Sequence, residues 1–192
     1  MATTNKDLFF HEYRRIFGAI SKQNTVEVLS AILDVNDNTY KLPIEQLAYL
    51  LATAYHETGY DFVPKREYGT NEYFIRRYWT NSKVARWLGN DDSSESVKYC
   101  GRGLVQITGE TNYERFGIAD SPEKALETQT AIRIIFEGMI KGIFTGKKLS
   151  DFYYKGKYNS LKARSIINGN DKALDIASHA ENFQIILNKS IS

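Results

Sequence analysis

The stretch Leu47-Ala-Tyr-Leu-Leu-Ala-Thr-Ala-Tyr-His-Glu-Thr-Gly-Tyr60 decides how the rest of the chain reads. Leu47, Leu50, Leu51 and Ala54 recur at three- and four-residue spacing, which marks one apolar face of a helix. The same register carried three residues past Ala54 lands on Glu57, just before Gly59 can end the helix. A carboxylate on a face that points into protein is costly unless it is paired or takes a proton. Glu57 is therefore either a structural residue satisfied by an arginine or by backbone donors, or an acid kept for chemistry.

Outward from this stretch the pattern stays helical. Pro43 is tolerated at the start of a helix, so a third helix is expected over residues 44–56. Thr4 or Asn5 can cap a first helix carrying Leu8, Phe9, Ile16 and Phe17 and ending near Gly18. A second follows Asn24 through Val26, Val28, Leu29, Ile32 and Leu33, and should stop at the turn formers Asp34-Val-Asn-Asp-Asn38. Residues 58–100 are broken up by Gly59, Pro64, Gly69, Gly89 and the polar run Asn90-Asp-Asp-Ser-Ser94, with short helices at 73–79 and 84–88. An irregular region of that length is more often functional than idle. Beyond Gly109 the helical pattern resumes. Ser121-Pro122-Glu123, with Ser as cap and Pro in the first turn, leads into a helix over 125–140, and others are expected over 161–167 and 172–187. No repeat, low-complexity tract or linker interrupts the chain. The expectation is one mainly α domain over residues 1–192 with a small strand- and loop-rich middle.

Composition narrows the function classes. The chain has 192 residues, 42% hydrophobic and 25% charged, which is ordinary for a globular domain. A net charge of +2 lacks the basic surplus of a dedicated nucleic-acid binder. Thirteen Tyr and ten Phe suit either a core or a groove that stacks on flat ligands. Cys100 is the single cysteine, so no internal disulfide forms, and no His or Asp beside it in sequence marks it as a nucleophile. The N-terminus shows no signal-peptide pattern, and no apolar run is long enough to span a bilayer, so no membrane insertion is expected.

His56-Glu57 invites comparison with zinc proteases, whose motif requires a second His four residues after the first; Tyr60 stands there instead. No metal and no cofactor are expected. A pair of carboxylates is the alternative, because glycoside hydrolysis commonly uses one protonated acid and one ionised base. Glu57 has the apolar setting of the acid, and Asp61, Glu67 and Glu72 are candidates for the base. Glu67 follows Lys65 and Arg66, whose charge favours its ionised form. A third element is Tyr99-Cys-Gly-Arg-Gly-Leu-Val-Gln-Ile-Thr-Gly-Glu-Thr-Asn-Tyr113. Gly101 and Gly103 permit close backbone approach, and residues 104–107 read as a short strand with Gln106 and Thr108 on one face.

His56-Glu57-Thr58-Gly59, Glu67, the Gly101-Arg-Gly-Leu-Val-Gln-Ile-Thr108 segment and Ile166-Ile167-Asn168-Gly169 together resemble glycoside hydrolase family 19, the chitinases and related endolysins. The resemblance covers roughly residues 45–185. It implies a lysozyme-like, mainly helical fold of two lobes lining a central cleft. It implies Glu57 as general acid and Glu67 as general base, with Glu72 in reserve. It further implies Thr108 as a holder of the attacking water, and His56, Gln106, Asn112, Tyr113 and Asn168 as substrate-binding residues. An inverting mechanism requires carboxyl groups roughly 6.5–9.5 Å apart, with a water between base and sugar. Whether Tyr73, Tyr78 or Trp79 stack on sugar or fill the core is open at this level.

The lack of a disulfide framework, the short middle loop and the absence of a wall-binding module make the chain look more like a compact phage endolysin than a plant-type chitinase. The expected partner is then the glycan strand of peptidoglycan, with chitin as the alternative substrate and a lytic transglycosylase as the alternative reaction. A monomer is expected, made in the host cytoplasm and released to the wall through a membrane lesion.

Overall fold

The Asn5 side chain accepts a hydrogen bond from the Leu8 N–H at 3.1 Å and opens the first helix, α1 (Lys6–Phe17), which Gly18 closes at φ 88°. The computed structural model describes residues 3–167 and 169–191. α2 (Gln23–Val35) does not stop at the expected turn formers but runs on as a π-helical turn, Asn36–Tyr40. The polar side chains there satisfy the widened helix end. Asn38 Nδ2 donates to the Asp34 carbonyl (2.8 Å), Asn36 Oδ1 accepts from the Leu42 N–H (3.0 Å), and Asp37 accepts from the Thr4 N–H (2.8 Å). α3 (Ile44–Glu57) follows, with Pro43 at its N-cap.

The middle of the chain holds β1 (Lys65–Arg66), α4 (Asn71–Tyr78), α5 (Ser82–Leu88), α6 (Ser93–Lys98), β2 (Arg102–Gly103), α7 (Glu110–Arg115) and a 3-10 turn, Pro122–Leu126. Thereafter come α8 (Thr128–Lys141), a second 3-10 turn (Leu149–Phe152), the hairpin strands β3 (Tyr153–Tyr154) and β4 (Lys157–Tyr158), α9 (Ser160–Ala163), a third 3-10 turn (Arg164–Ile166) and α10 (Ala173–Ser190). The fold is mainly helical. Among the described residues no helix is long and apolar enough to cross a membrane.

Three expected elements differ in detail. The polar run at 90–94 does not only break structure: Asp92 caps α6, and Glu95 completes a reciprocal capping box, a signal readable as Asp-Ser-Ser-Glu. Ser121 makes no side-chain cap, and the Pro122 segment winds as a tighter 3-10 turn before α8 begins at Thr128. The helix expected over 161–167 is a single α turn followed by a 3-10 turn.

The chain divides into two compact units, Met1–Val63 with Ile135–Ser192, and Pro64–Ile134. In the first, α3 is the central element. Every residue from Gln46 to Tyr55 is buried, so this helix is enclosed on all sides rather than apolar on one face. Ala48, Ala52 and Thr53 are small enough to let neighbours approach on the faces that Leu47, Leu50 and Leu51 do not occupy. α10 packs along α3 and α1 packs on α10. Phe17 ties them together, its ring centroid 4.9 Å from both Tyr55 and Phe183.

His179 on α10 lies against this aromatic cluster, edge-on to Tyr55 at 5.1 Å. Burial, reinforced by nearby His56 and opposed by Asp175, holds its imidazole below the ordinary value. The folded state therefore favours neutral His179, while the unfolded chain takes up its proton at about pH 6.5. The stability from this group is complete above that pH and is lost as pH falls through the lower folded value. Melting curves between pH 7.5 and 5 should show a falling melting temperature, and the fall should be shallower in His179→Phe. Equal slopes in the two proteins would remove His179 from the account.

In the second unit β1 pairs antiparallel with β2, Lys65 opposite Gly103 and Arg66 opposite Arg102. Phe74, Leu88, Tyr99, Leu104, Val105, Ile107, Tyr113 and Phe116 are buried in this unit. Residues 104–106 form a turn instead of the expected strand. Arg102 and Ile107 exchange backbone hydrogen bonds (3.0 and 3.2 Å), which leaves no length for an extended run between them. Gly103 at φ 87° and Gln106 at φ 53° supply the left-handed residues that the turn needs.

Candidate functional site

Two half-buried carboxylates stand out, one in each unit. Glu57 ends α3, and the chain beyond it is firmly held. The Thr58 hydroxyl donates to the Ala54 carbonyl (2.7 Å) and accepts from the Phe62 N–H (2.9 Å). Tyr60 and Phe62 take left-handed φ values of 74° and 58°, a conformation non-glycine residues keep only where their surroundings impose it. Phe62 is fully buried, and Asp61 accepts from Lys22 Nζ at 2.6 Å and from the Val63 N–H at 3.0 Å.

Glu57 itself is paired. Arg164 Nη1 donates to Glu57 Oε1 at 2.7 Å, and Arg164 Nε donates to the Asp171 carbonyl at 2.9 Å. The arginine side chain is 4% exposed and the glutamate side chain 17%. The apolar pocket expected around the acid is therefore corrected: Glu57 faces a guanidinium, which only donates, so its setting is that of an ion pair. His56 precedes it, its ring 6.2 Å from Tyr60 and its Nδ1 buried with no hydrogen-bond partner among the described residues.

Glu67 follows β1. Its N–H donates to the Gly101 carbonyl (2.7 Å), extending the ladder by one residue and fixing the backbone from which the side chain departs. Tyr73 Oη donates to Oε1 at 3.0 Å, Tyr78 Oη to Oε2 at 2.7 Å, and the Gly101 N–H to Oε2 at 3.3 Å. A Cβ on Gly101 would sit 3.0 Å from Gln106 Oε1 and 3.1 Å from Glu67 Oε2, so glycine there admits both side chains. Glu67 and Gln106 thus meet at Gly101.

Three further predicted residues, Gln106, Thr108 and Asn112, form one hydrogen-bonded chain in the second unit. Gln106 Nε2 donates to the carbonyls of Lys65 (2.8 Å) and Gly103 (3.1 Å), stapling β1 to the turn. The Thr108 hydroxyl donates to the Gln106 carbonyl (3.0 Å), and Asn112 Nδ2 to the Thr108 carbonyl (2.8 Å). Gln106, Thr108 and Asn112 are half-buried. Tyr113 is fully buried: its hydroxyl donates to the Cys100 carbonyl (2.7 Å) and accepts from Arg102 (3.0 Å). Its expected place against substrate is corrected to a structural one. Asn168 lies outside the described residues. The reserve base Glu72 is exposed in the first turn of α4, where its own N–H and the Thr70 hydroxyl hold its carboxyl below the ordinary value. Cys100 is fully buried and its thiol pushed up by burial, the setting of an inert cysteine.

Arg164 and the hydroxyls of Tyr73 and Tyr78 went unread in the sequence as partners of these carboxylates. The sequence leaves Tyr73 and Tyr78 open as sugar-stacking or core-filling rings, and the structure directs their hydroxyls to Glu67. No local pattern marks Arg164, a single arginine in a short helical segment. Among the described residues no group of three or more His, Cys, Asp and Glu side chains gathers to hold a metal ion. No protein-family model matches the chain, and no curated protein is significantly similar to it.

Proposed function

We propose that the protein is an endolysin-type glycoside hydrolase that cleaves the β-1,4 amino-sugar backbone of peptidoglycan, on a lysozyme-like fold of the family 19 kind. The observation that carries the reading is the provision of dedicated donors for the two carboxylates that the motif resemblance singles out. Glu57 has buried Arg164, and Glu67 has Tyr73, Tyr78 and the Gly101 N–H.

In this reading Glu57 is the general acid, the group that delivers a proton to the glycosidic oxygen. Arg164 stands 2.7 Å away to stabilise the carboxylate that donation leaves. Glu67, which accepts hydrogen bonds from three donors, takes a proton from the water that attacks the anomeric carbon. Attack from the face opposite the leaving group inverts the anomeric centre, so a β-linked substrate yields an α product. Thr108, Gln106 and Asn112 order the backbone beside Glu67. The protein acts as a monomer on glycan strands after leaving the host cytoplasm through a membrane lesion.

Analysis of products from purified peptidoglycan and from N-acetylglucosamine oligomers, side by side, tests this. Hydrated reducing ends released as the α anomer, with peptidoglycan the better substrate, are expected. Preference for the oligomers would make the protein a chitinase. Anhydro-muramoyl ends would make it a lytic transglycosylase, a reaction that manages with one catalytic carboxyl. Wall binding without soluble product would reduce it to a glycan-binding module.

A further inference from the structure

Glu67 is held asymmetrically. Oε2 accepts from Tyr78 Oη and from the Gly101 N–H, at 2.7 and 3.3 Å, whereas Oε1 accepts one hydrogen bond, from Tyr73 Oη at 3.0 Å. Arg77 lies over both rings, 5.7 Å from the Tyr73 centroid and 5.5 Å from that of Tyr78. Its Nη1 donates to Tyr73 Oη at 3.0 Å, and its Nε stays 3.9 Å from Oε1. Tyr73 and Arg77 share a face of α4 at four-residue spacing. Thr70 caps that helix by accepting from the Tyr73 N–H (3.2 Å), and a Cβ on Gly69 would sit 2.4 Å from the Tyr73 ring, so the chain passes close enough to fix the ring.

A carboxylate has about four acceptor positions. With Oε2 doubly engaged, the open capacity lies on Oε1. We propose that Tyr78 and Tyr73 are positioning residues for Glu67: Tyr78 anchors the carboxylate through Oε2, and Tyr73, through its single hydrogen bond to Oε1, aims the remaining acceptor position of that oxygen at the attacking water, whose proton it receives. The proposal rests on Glu67 being the base. In that step one O–H bond of the water breaks and its proton passes to Oε1. The water oxygen bonds to the anomeric carbon as the bond to the leaving sugar breaks, and the leaving oxygen takes the proton of Glu57. Burial and the contact with Glu67 push the Tyr78 hydroxyl up, so it stays a donor across the neutral range.

Tyr73→Phe and Tyr78→Phe keep the rings and remove only the hydroxyls. Steady-state rates on soluble peptidoglycan fragments, with melting curves for each variant, provide the test. Tyr78→Phe should lower kcat by about 10–100-fold with KM changed less than about twofold, as expected when a reacting group loses its aim. The same substitution combined with Glu67→Gln should reduce the residual rate no further, because it acts only through that carboxylate. Tyr73→Phe should behave alike with a smaller loss. Either of two results overturns the proposal: both single tyrosine variants keep kcat within about twofold of the unmodified protein while Glu67→Gln does not, or the losses multiply in the combined variant. If Glu67→Gln itself keeps the full rate, the base assignment fails and the proposal with it.

Discussion

Glu57→Gln should lower the rate of glycan cleavage by about 10²–10⁴-fold, the share that a general acid contributes, with a smaller fall in melting temperature than Glu57→Ala. The amide oxygen of Gln can still accept from Arg164 Nη1, which is 2.7 Å from Oε1, so the buried guanidinium keeps an acceptor. Glu57→Ala is the less informative change. It leaves a 4% exposed arginine without its counter-ion, and breaking such a pair from one side costs about 3–5 kcal/mol. The two roles of Glu57 separate cleanly here. A purely structural glutamate predicts full activity in Glu57→Gln and a destabilised Glu57→Ala. An acid predicts a Glu57→Gln that is inactive at temperatures where its melting curve shows it folded. Release of reducing ends from purified peptidoglycan, followed beside a melting curve, distinguishes them.

Glu67→Gln should also cost about 10²–10⁴-fold in rate, as removal of a general base does. The fold should tolerate it, because the amide oxygen can take the two donors now on Oε2, Tyr78 Oη and the Gly101 N–H. The amide nitrogen then faces Tyr73 Oη, which already accepts from Arg77 and can accept again. Retention of near-full activity by Glu67→Gln, alongside an inactive Glu57→Gln, would leave a single catalytic carboxyl and shift the reading toward a transglycosylase. Glu72 would be a poor substitute, since its exposed carboxylate is engaged at the start of α4.

Much of this arrangement was readable along the chain, and the parts that were share a cause. The Leu47–Ala54 periodicity, the Asn5 cap, the Gly18 and Gly59 stops and the close approach at Gly101 all express backbone requirements met within a few residues. Misreadings arose where a local signal admitted two outcomes. Asn36, Asp37 and Asn38 are turn formers, yet the same side chains can satisfy a widened helix end. Asp92 and Glu95 sit in a polar run that reads as a breaker and is also a capping box. Residues 104–107 alternate like a strand, but Arg102 pairs back to Ile107 and forces a turn. Tyr113 carries the right motif position, yet its hydroxyl is committed to Cys100 and Arg102 in the core.

By itself the sequence determined that α3 exists, that it stops within a residue of Glu57, and that Gly101 lies where backbone must pass close to other groups. Those are consequences of residue spacing and of what a missing Cβ allows. What Glu57 and Glu67 are bonded to was decided by tertiary structure alone. Arg164 lies 107 residues from Glu57, and the hydroxyls on Glu67 come from the next helix, 6 and 11 residues away. Any of the chain's arginines or tyrosines has the chemistry to be such a partner. Only tertiary packing within each unit selects which donors reach each carboxylate, because hydrogen bonds are set by distance in space and not by order along the chain.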